Sequence, residues 1–146
     1  MKISSLVFEK NQIPVKYTCD GENFNPPLQF SEIPAGAKSL ALICDDPDAP
    51  GGSFVHWVLW NINPQETQIT EKSVPPGANQ GKNSAGSSGY LGPCPPSGSH
   101  RYVFKLYALD TELDLPLETN KNQLEQAMQN HILEKAELIG LYSRGS

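Results

Sequence analysis

Ser39-Leu40-Ala41-Leu42-Ile43-Cys44 is nearly all apolar and runs straight into Asp45-Asp46-Pro47-Asp48-Ala49-Pro50. A short apolar run closed by turn residues reads as a central strand covered on both faces. Outward from it, Phe54-Val55-His56-Trp57-Val58-Leu59-Trp60-Asn61-Ile62 reads as a second long strand. Its period of two puts Phe54, His56, Val58 and Trp60 on one face and Val55, Trp57, Leu59 and Asn61 on the other. Residues 101–109 make another, with His100, Tyr102, Phe104 and Leu106 on one side. Shorter apolar segments at 6–8, 13–18 and 28–30 are bounded by Asn, Asp, Gly or Pro and are expected as short strands; 136–142 is expected to close the sheet. One helix is expected, with Asn120 as N-cap and Leu124, Ala127, Met128, His131 and Ile132 along a buried stripe. The pattern is that of a mainly β domain, a sandwich or barrel with one or two short helices.

Composition narrows the functional classes. The 146 residues suit one domain spanning 1–146, and no internal repeat or boundary interrupts them. Hydrophobic residues make up 38% and charged residues 18%, values of an ordinary globular chain. The formal charge of −5, without a cluster of Lys or Arg, excludes the basic stripe a nucleic-acid partner requires. No run approaches the roughly 18 apolar residues of a membrane span, and the N-terminus has too few apolar residues for a signal peptide. Three cysteines, Cys19, Cys44 and Cys94, are an odd count without a secretory pattern. They are therefore expected as free thiols in a reducing compartment, which points to the cytoplasm.

Three constellations carry chemistry. In the Asp-Pro turn, prolines remove backbone donors and hold Asp46 and Asp48 on a rigid bend, although Asp and Pro are ordinary turn formers. His56 sits on an otherwise apolar face, where a histidine is more often a satisfied core residue. Gly92-Pro93-Cys94-Pro95-Pro96-Ser97-Gly98-Ser99-His100-Arg101-Tyr102 ends an irregular stretch, 75–99, and delivers His100 and Tyr102 to one side of a strand. Long irregular loops inside a compact domain are commonly functional. Two carboxylates and two imidazoles at strand ends can converge on one rim of a sandwich.

Asp46-Pro47-Asp48-Ala49-Pro50, then His56-Trp57, then Gly92-x-x-Pro95-Pro96 leading to His100-Arg101-Tyr102, resemble the phosphatidylethanolamine-binding protein family. The likeness is strongest to its short bacterial and archaeal, Raf-kinase-inhibitor-like members, and extends over nearly the whole chain. It implies a Greek-key β-sandwich with a rim pocket for phosphate, phosphorylethanolamine or similar anions and zwitterions. The pocket positions it implies are Asp46, Asp48, Pro50, His56, Gly92, Cys94, Pro95, His100 and Tyr102. It implies no cofactor and no catalysis, and homodimers occur among short members. Only residues 51–55 separate the Asp-Pro motif from His56, where animal members carry a longer insertion.

His56, His100, Tyr102 and loop N–H groups could all donate to a phosphate oxygen, whereas the carboxylates would repel it. Two like charges about 4 Å apart cost about 4 kcal/mol at an effective dielectric of about 20. The site is thus expected to favour ligands that carry a proton or an ammonium of their own. Carboxylates nearby are expected to raise the pKa of the histidines. The competing readings are a regulatory protein docking a kinase or protease, and a hydrolase using Cys94 with His100 or a metal on Asp46, Asp48, His56 and His100.

Overall fold

The computed structural model describes residues 1–144 and contains eight strands and one α-helix. In chain order the strands are β1 (Lys2–Ser4), β2 (Leu28–Ser31), β3 (Ser39–Asp46), β4 (Phe54–Ile62), β5 (Gln68–Ile69), β6 (Asn79–Gln80), β7 (Ser99–Leu109) and β8 (Ile132–Ser143). The helix α1 is Lys121–Met128, and 3-10 turns occupy Glu9–Asn11 and Val15–Tyr17. One sheet has the order β1-β2-β5, the other β6-β4-β3-β7-β8, and every pairing of neighbours is antiparallel. β7 returns beside β3 rather than β4, so the large sheet is not a simple meander.

The large sheet is buried on both sides. Its inner face joins Leu40, Leu42, Cys44, Trp57, Leu59, Phe104 and Leu106 to Ile3, Leu28 and Phe30 of the small sheet. Its outer face joins Ala41, Ile43, Val58, Trp60, Tyr107 and Leu109 to Leu124 and Met128 of α1. β3 is therefore buried at every position, as an apolar run with no polar face requires. The helix starts at a capping box: Asn120 Oδ1 accepts from Gln123 N at 2.9 Å, and Gln123 Oε1 accepts from Asn120 N at 3.0 Å.

Several expected elements come out differently. Residues 6–8 are not a strand: Leu6 is 80% exposed, and the strand is Lys2–Ser4, where only Ile3 turns inward. Residues 13–18 contain a 3-10 turn, because Pro14 lacks the N–H a ladder needs and Tyr17 is the position that buries. The helical stripe stops at Met128. Asn130 is left-handed at φ 68°, and from Ile132 the chain pairs with β7, so His131 is only half-buried and bonds Asp110 rather than the core.

The alternation expected for β4 also slips. Val55 pairs with Asp45 and Trp57 with Cys44, leaving His56 as an extra residue in a β-bulge. Trp57 and Leu59 consequently join the inner core, and Val55, Val58 and Trp60 the outer one. His56 thus does not share a face with Val58 and Trp60. The bulge turns it to the inner side, where the rim cavity lies.

Candidate functional site

At the end of β3, Asp45 and Asp46 point to opposite faces. Asp46 is 3% exposed and accepts from two sides: its Oδ2 lies 2.7 Å from His100 Nδ1, and its Oδ1 takes the Asp48 backbone N–H at 2.7 Å. His100 enters from the second position of β7, so the β3–β7 pairing sets this contact. Asp48 turns outward. Its two oxygens grip the Arg101 guanidinium at 2.9 and 3.0 Å, and Oδ2 also accepts Arg101 N at 2.9 Å. The side-chain bond to Arg101, aided by the backbone bond, lowers the Asp48 carboxyl to about 2.

His56 Nδ1 lies 2.5 Å from the Leu91 carbonyl, and Leu91 N donates back to His56 O at 2.9 Å. A carbonyl only accepts, so Nδ1 carries the hydrogen and Nε2 of the neutral ring is an acceptor. Burial pushes the His56 pKa below its ordinary value, outweighing the opposing pull of Leu91 and of Asp46. The expectation that carboxylates raise the histidines' pKa therefore fails at His56, because desolvation of the cation is the larger effect. Tyr102 packs edge-on to His56 at 5.2 Å and stacks with His100 at 6.5 Å. Burial raises the Tyr102 phenol pKa, so it remains a neutral hydroxyl.

These groups floor a cavity of about 400 Å³. Of the residues singled out from the sequence, Asp46, Pro50, His56, Gly92, Cys94, Pro95, His100 and Tyr102 line it. Asp48 does not; it stands behind Asp46 and anchors the turn to β7. Cys19, Ala49, Phe54, Leu91 and Pro96 also line it and were not anticipated. The walls are thus largely apolar around two imidazoles, a phenol and one carboxylate.

Gly92 is required by close approach. A Cβ there would sit 2.3 Å from Asn23 Oδ1 and 2.5 Å from Tyr17 O. Its N–H donates to Asn23 Oδ1 at 2.8 Å, so this loop amide is unavailable to a ligand.

The free-thiol expectation is overturned for two cysteines. Cys19 and Cys94 form a disulfide across 75 residues of sequence, in the cavity wall. Cys94 is then no thiolate nucleophile. Cys44 alone is a free thiol, buried, with its pKa pushed well up by desolvation. Among the described residues no three His, Cys, Asp or Glu side chains are grouped to hold a metal ion. Asp48, one of the four residues of the competing metal reading, is held by Arg101 instead.

A larger cavity, about 480 Å³, lies on the outer side near Val55, Lys82, Ser84, Glu118 and Lys121. Its Lys121 bonds the buried Asp45, and no imidazole converges there. The chemistry is concentrated at the smaller cavity.

A two-sheet sandwich with an Asp–His pair and a second buried imidazole at one rim defines a small-ligand-binding class of protein. The sequence profile described as "Phosphatidylethanolamine-binding protein" matches residues 3–143, and the chain belongs to that family. It is 54% identical over 142 residues to a UPF0098 protein of Methanothermobacter thermautotrophicus, covering 94% of each chain. A putative phosphatidylethanolamine-binding protein homolog from Chlamydia trachomatis superposes with TM-score 0.94 at 42% identity, over 99% of this chain and 97% of that one. An Escherichia coli protein described as a new member of the mammalian family superposes with TM-score 0.91 at 29% identity, over 99% and 98%. No described helix is long and apolar enough to cross a membrane.

Proposed function

We propose that the protein binds, without transforming, a small phosphate-bearing anion or zwitterion in the rim cavity, with phosphorylethanolamine as the representative ligand. The observation that carries this reading is the Asp46–His100 pair, 2.7 Å apart, on the floor of an apolar-walled cavity. With Nδ1 bonded to the carboxylate, His100 presents Nε2; once protonated, Nε2 becomes a charged donor whose counter-ion is already in place. His56 Nε2, an acceptor, matches a protonated phosphate oxygen or an ammonium. The repulsion expected from two bare carboxylates is relieved, because Asp48 is neutralised by Arg101 and Asp46 is bonded twice. A ligand need not supply its own ammonium, although His56 would welcome one.

A phosphorylated side chain of a protein partner would meet the same groups, so a docking role is the second reading for this cavity. A homodimer remains a proposal for equilibrium sedimentation. Cytoplasmic location loses the premise of three free thiols, although cytosolic disulfides are common in hyperthermophiles.

His100→Ala is expected to weaken phosphorylethanolamine binding by about 1.5–3 kcal/mol, the range of hydrogen bonds to charged groups. Calorimetric titration of a variant with wild-type circular dichroism is the measurement. Equal affinity would remove His100 from the ligand's contacts and the reading with it.

A further inference from the structure

The outer wall of the cavity is held in two different ways. Up to Pro93 it is pinned by ordinary bonds: Tyr90 Oη donates to Tyr17 O at 2.7 Å, Gly92 N to Asn23 Oδ1, and Cys19 N to Pro93 O at 3.1 Å. From 94 to 98 the chain makes no hydrogen bond to any described residue. Before β7 begins at Ser99, what fastens it is the bond from Cys94 to Cys19 and the buried Pro95. Cys94 is exposed and Cys19 half-buried, and both line the cavity.

We propose that the Cys19–Cys94 disulfide is a thiol-exchange site that sets the ligand affinity of the cavity. This regulation rests on the ligand-binding reading above. The thiolate of a small thiol attacks the more accessible sulfur, that of Cys94. The Cys19–Cys94 bond breaks, Cys19 leaves as a thiolate and takes a proton from water, and Cys94 carries a mixed disulfide. A second small thiol displaces it, leaving two protein thiols and one small-molecule disulfide. Two electrons have passed from the two small thiols to the protein.

Once the tie is cut, the wall from 94 to 98 keeps only the packing of Pro95. It must then be ordered again when a ligand binds, and that ordering subtracts from affinity. The coupling is reciprocal: a bound ligand must make the disulfide harder to reduce by the same factor.

The experiment treats the oxidised protein with excess reduced glutathione under native conditions, followed by alkylation and intact-mass measurement. Expected are two alkylated cysteines, with Cys44 protected until the fold is denatured. The dissociation constant for phosphorylethanolamine should rise about fivefold or more, the lower end of ordinary coupling, and recover on reoxidation. The imidazole NMR signals of His56, behind the same wall, should shift. The double variant Cys19→Ser/Cys94→Ser should bind like the reduced protein and ignore glutathione. A disulfide that resists glutathione until the protein unfolds overturns the proposal, as does a reduced protein with unchanged affinity and His56 signals. If the oxidised protein fails to bind phosphorylethanolamine, the ligand reading falls alone. Alkylation and the His56 signals then decide whether the wall is exchange-sensitive or inert.

Discussion

Asp45 and Asp46 are consecutive, at 1% and 3% exposure, and each carboxylate accepts two hydrogen bonds, yet they serve opposite faces of the large sheet. Asp45 points outward, where its Oδ2 takes Lys105 at 3.1 Å and Lys121 at 2.7 Å and so ties β3 to β7 and to the start of α1. Asp46 points inward to His100 and the cavity. The partners differ in kind. Lysine ammoniums are permanent charges at neutral pH, whereas imidazole can take or release a proton. A carboxylate between two lysines is a fixed clamp; one paired with a histidine beside a cavity has a charge state that a ligand can bias.

The comparison breaks most visibly through stability. Asp45→Ala leaves two lysine side chains, only 20% and 18% exposed, without their shared counter-charge. Removing one partner of a buried ion pair is strongly destabilising, and lysine stems that can reach toward water keep the expected cost near the lower end, about 3 kcal/mol. Urea denaturation reads the cost, and calorimetry on the folded variant should find phosphorylethanolamine affinity unchanged. A variant as stable as wild type would show that Asp45 is no clamp.

Asp46→Asn should show the reverse profile. The amide oxygen can still accept from His100 Nδ1, but the counter-ion of an imidazolium is gone. Affinity for phosphorylethanolamine is expected to fall about tenfold, about 1.4 kcal/mol, with a smaller effect on urea stability than at Asp45. Tighter binding would show that the carboxylate chiefly repels the ligand, and would reverse the roles assigned here.

Much of this was legible because strands obey a strict period. β3 declared itself by its unbroken apolar run, and β7 by His100, Tyr102, Phe104 and Leu106, of which the last three all enter the inner core. β4 was legible in extent but not in register. A bulge inserts one residue without any mark in composition, and His56 changes company because of it. Asp48 was visible as a turn residue, but its grip on Arg101 depends on how β7 approaches the turn, a tertiary fact. The disulfide was hidden by arithmetic. An odd count of three argues for free thiols only when no pair is brought together, and a sequence separation of 75 says nothing about that. Asp45 passed unremarked because a clamp and a turn residue look alike until Lys105 and Lys121 arrive from elsewhere in the chain.

The smallest expected effect lies in the proton balance of His56. The residue is 5% exposed, and its ring packs on Phe54 at 5.0 Å and Tyr102 at 5.2 Å and bonds Leu91 O through Nδ1. Asp46 and Asp45 both pull its pKa upward, yet burial dominates and the folded protein holds the ring neutral below its ordinary value. The unfolded chain protonates this histidine near pH 6.5, while the folded protein does so only at lower pH. Across that window the unfolded state binds more protons, so stability is complete above about 6.5 and declines as pH falls. A His56→Gln variant keeps a side-chain N–H for Leu91 O but cannot titrate. Urea denaturation of both proteins at pH 7.5 and 5.5 isolates the term, because His100, His131 and every carboxylate are common to the pair. Wild type should lose more stability than the variant between those two values. If it loses less, the carboxylates have won over desolvation at His56, and the acceptor role assigned to its Nε2 would have to be given up.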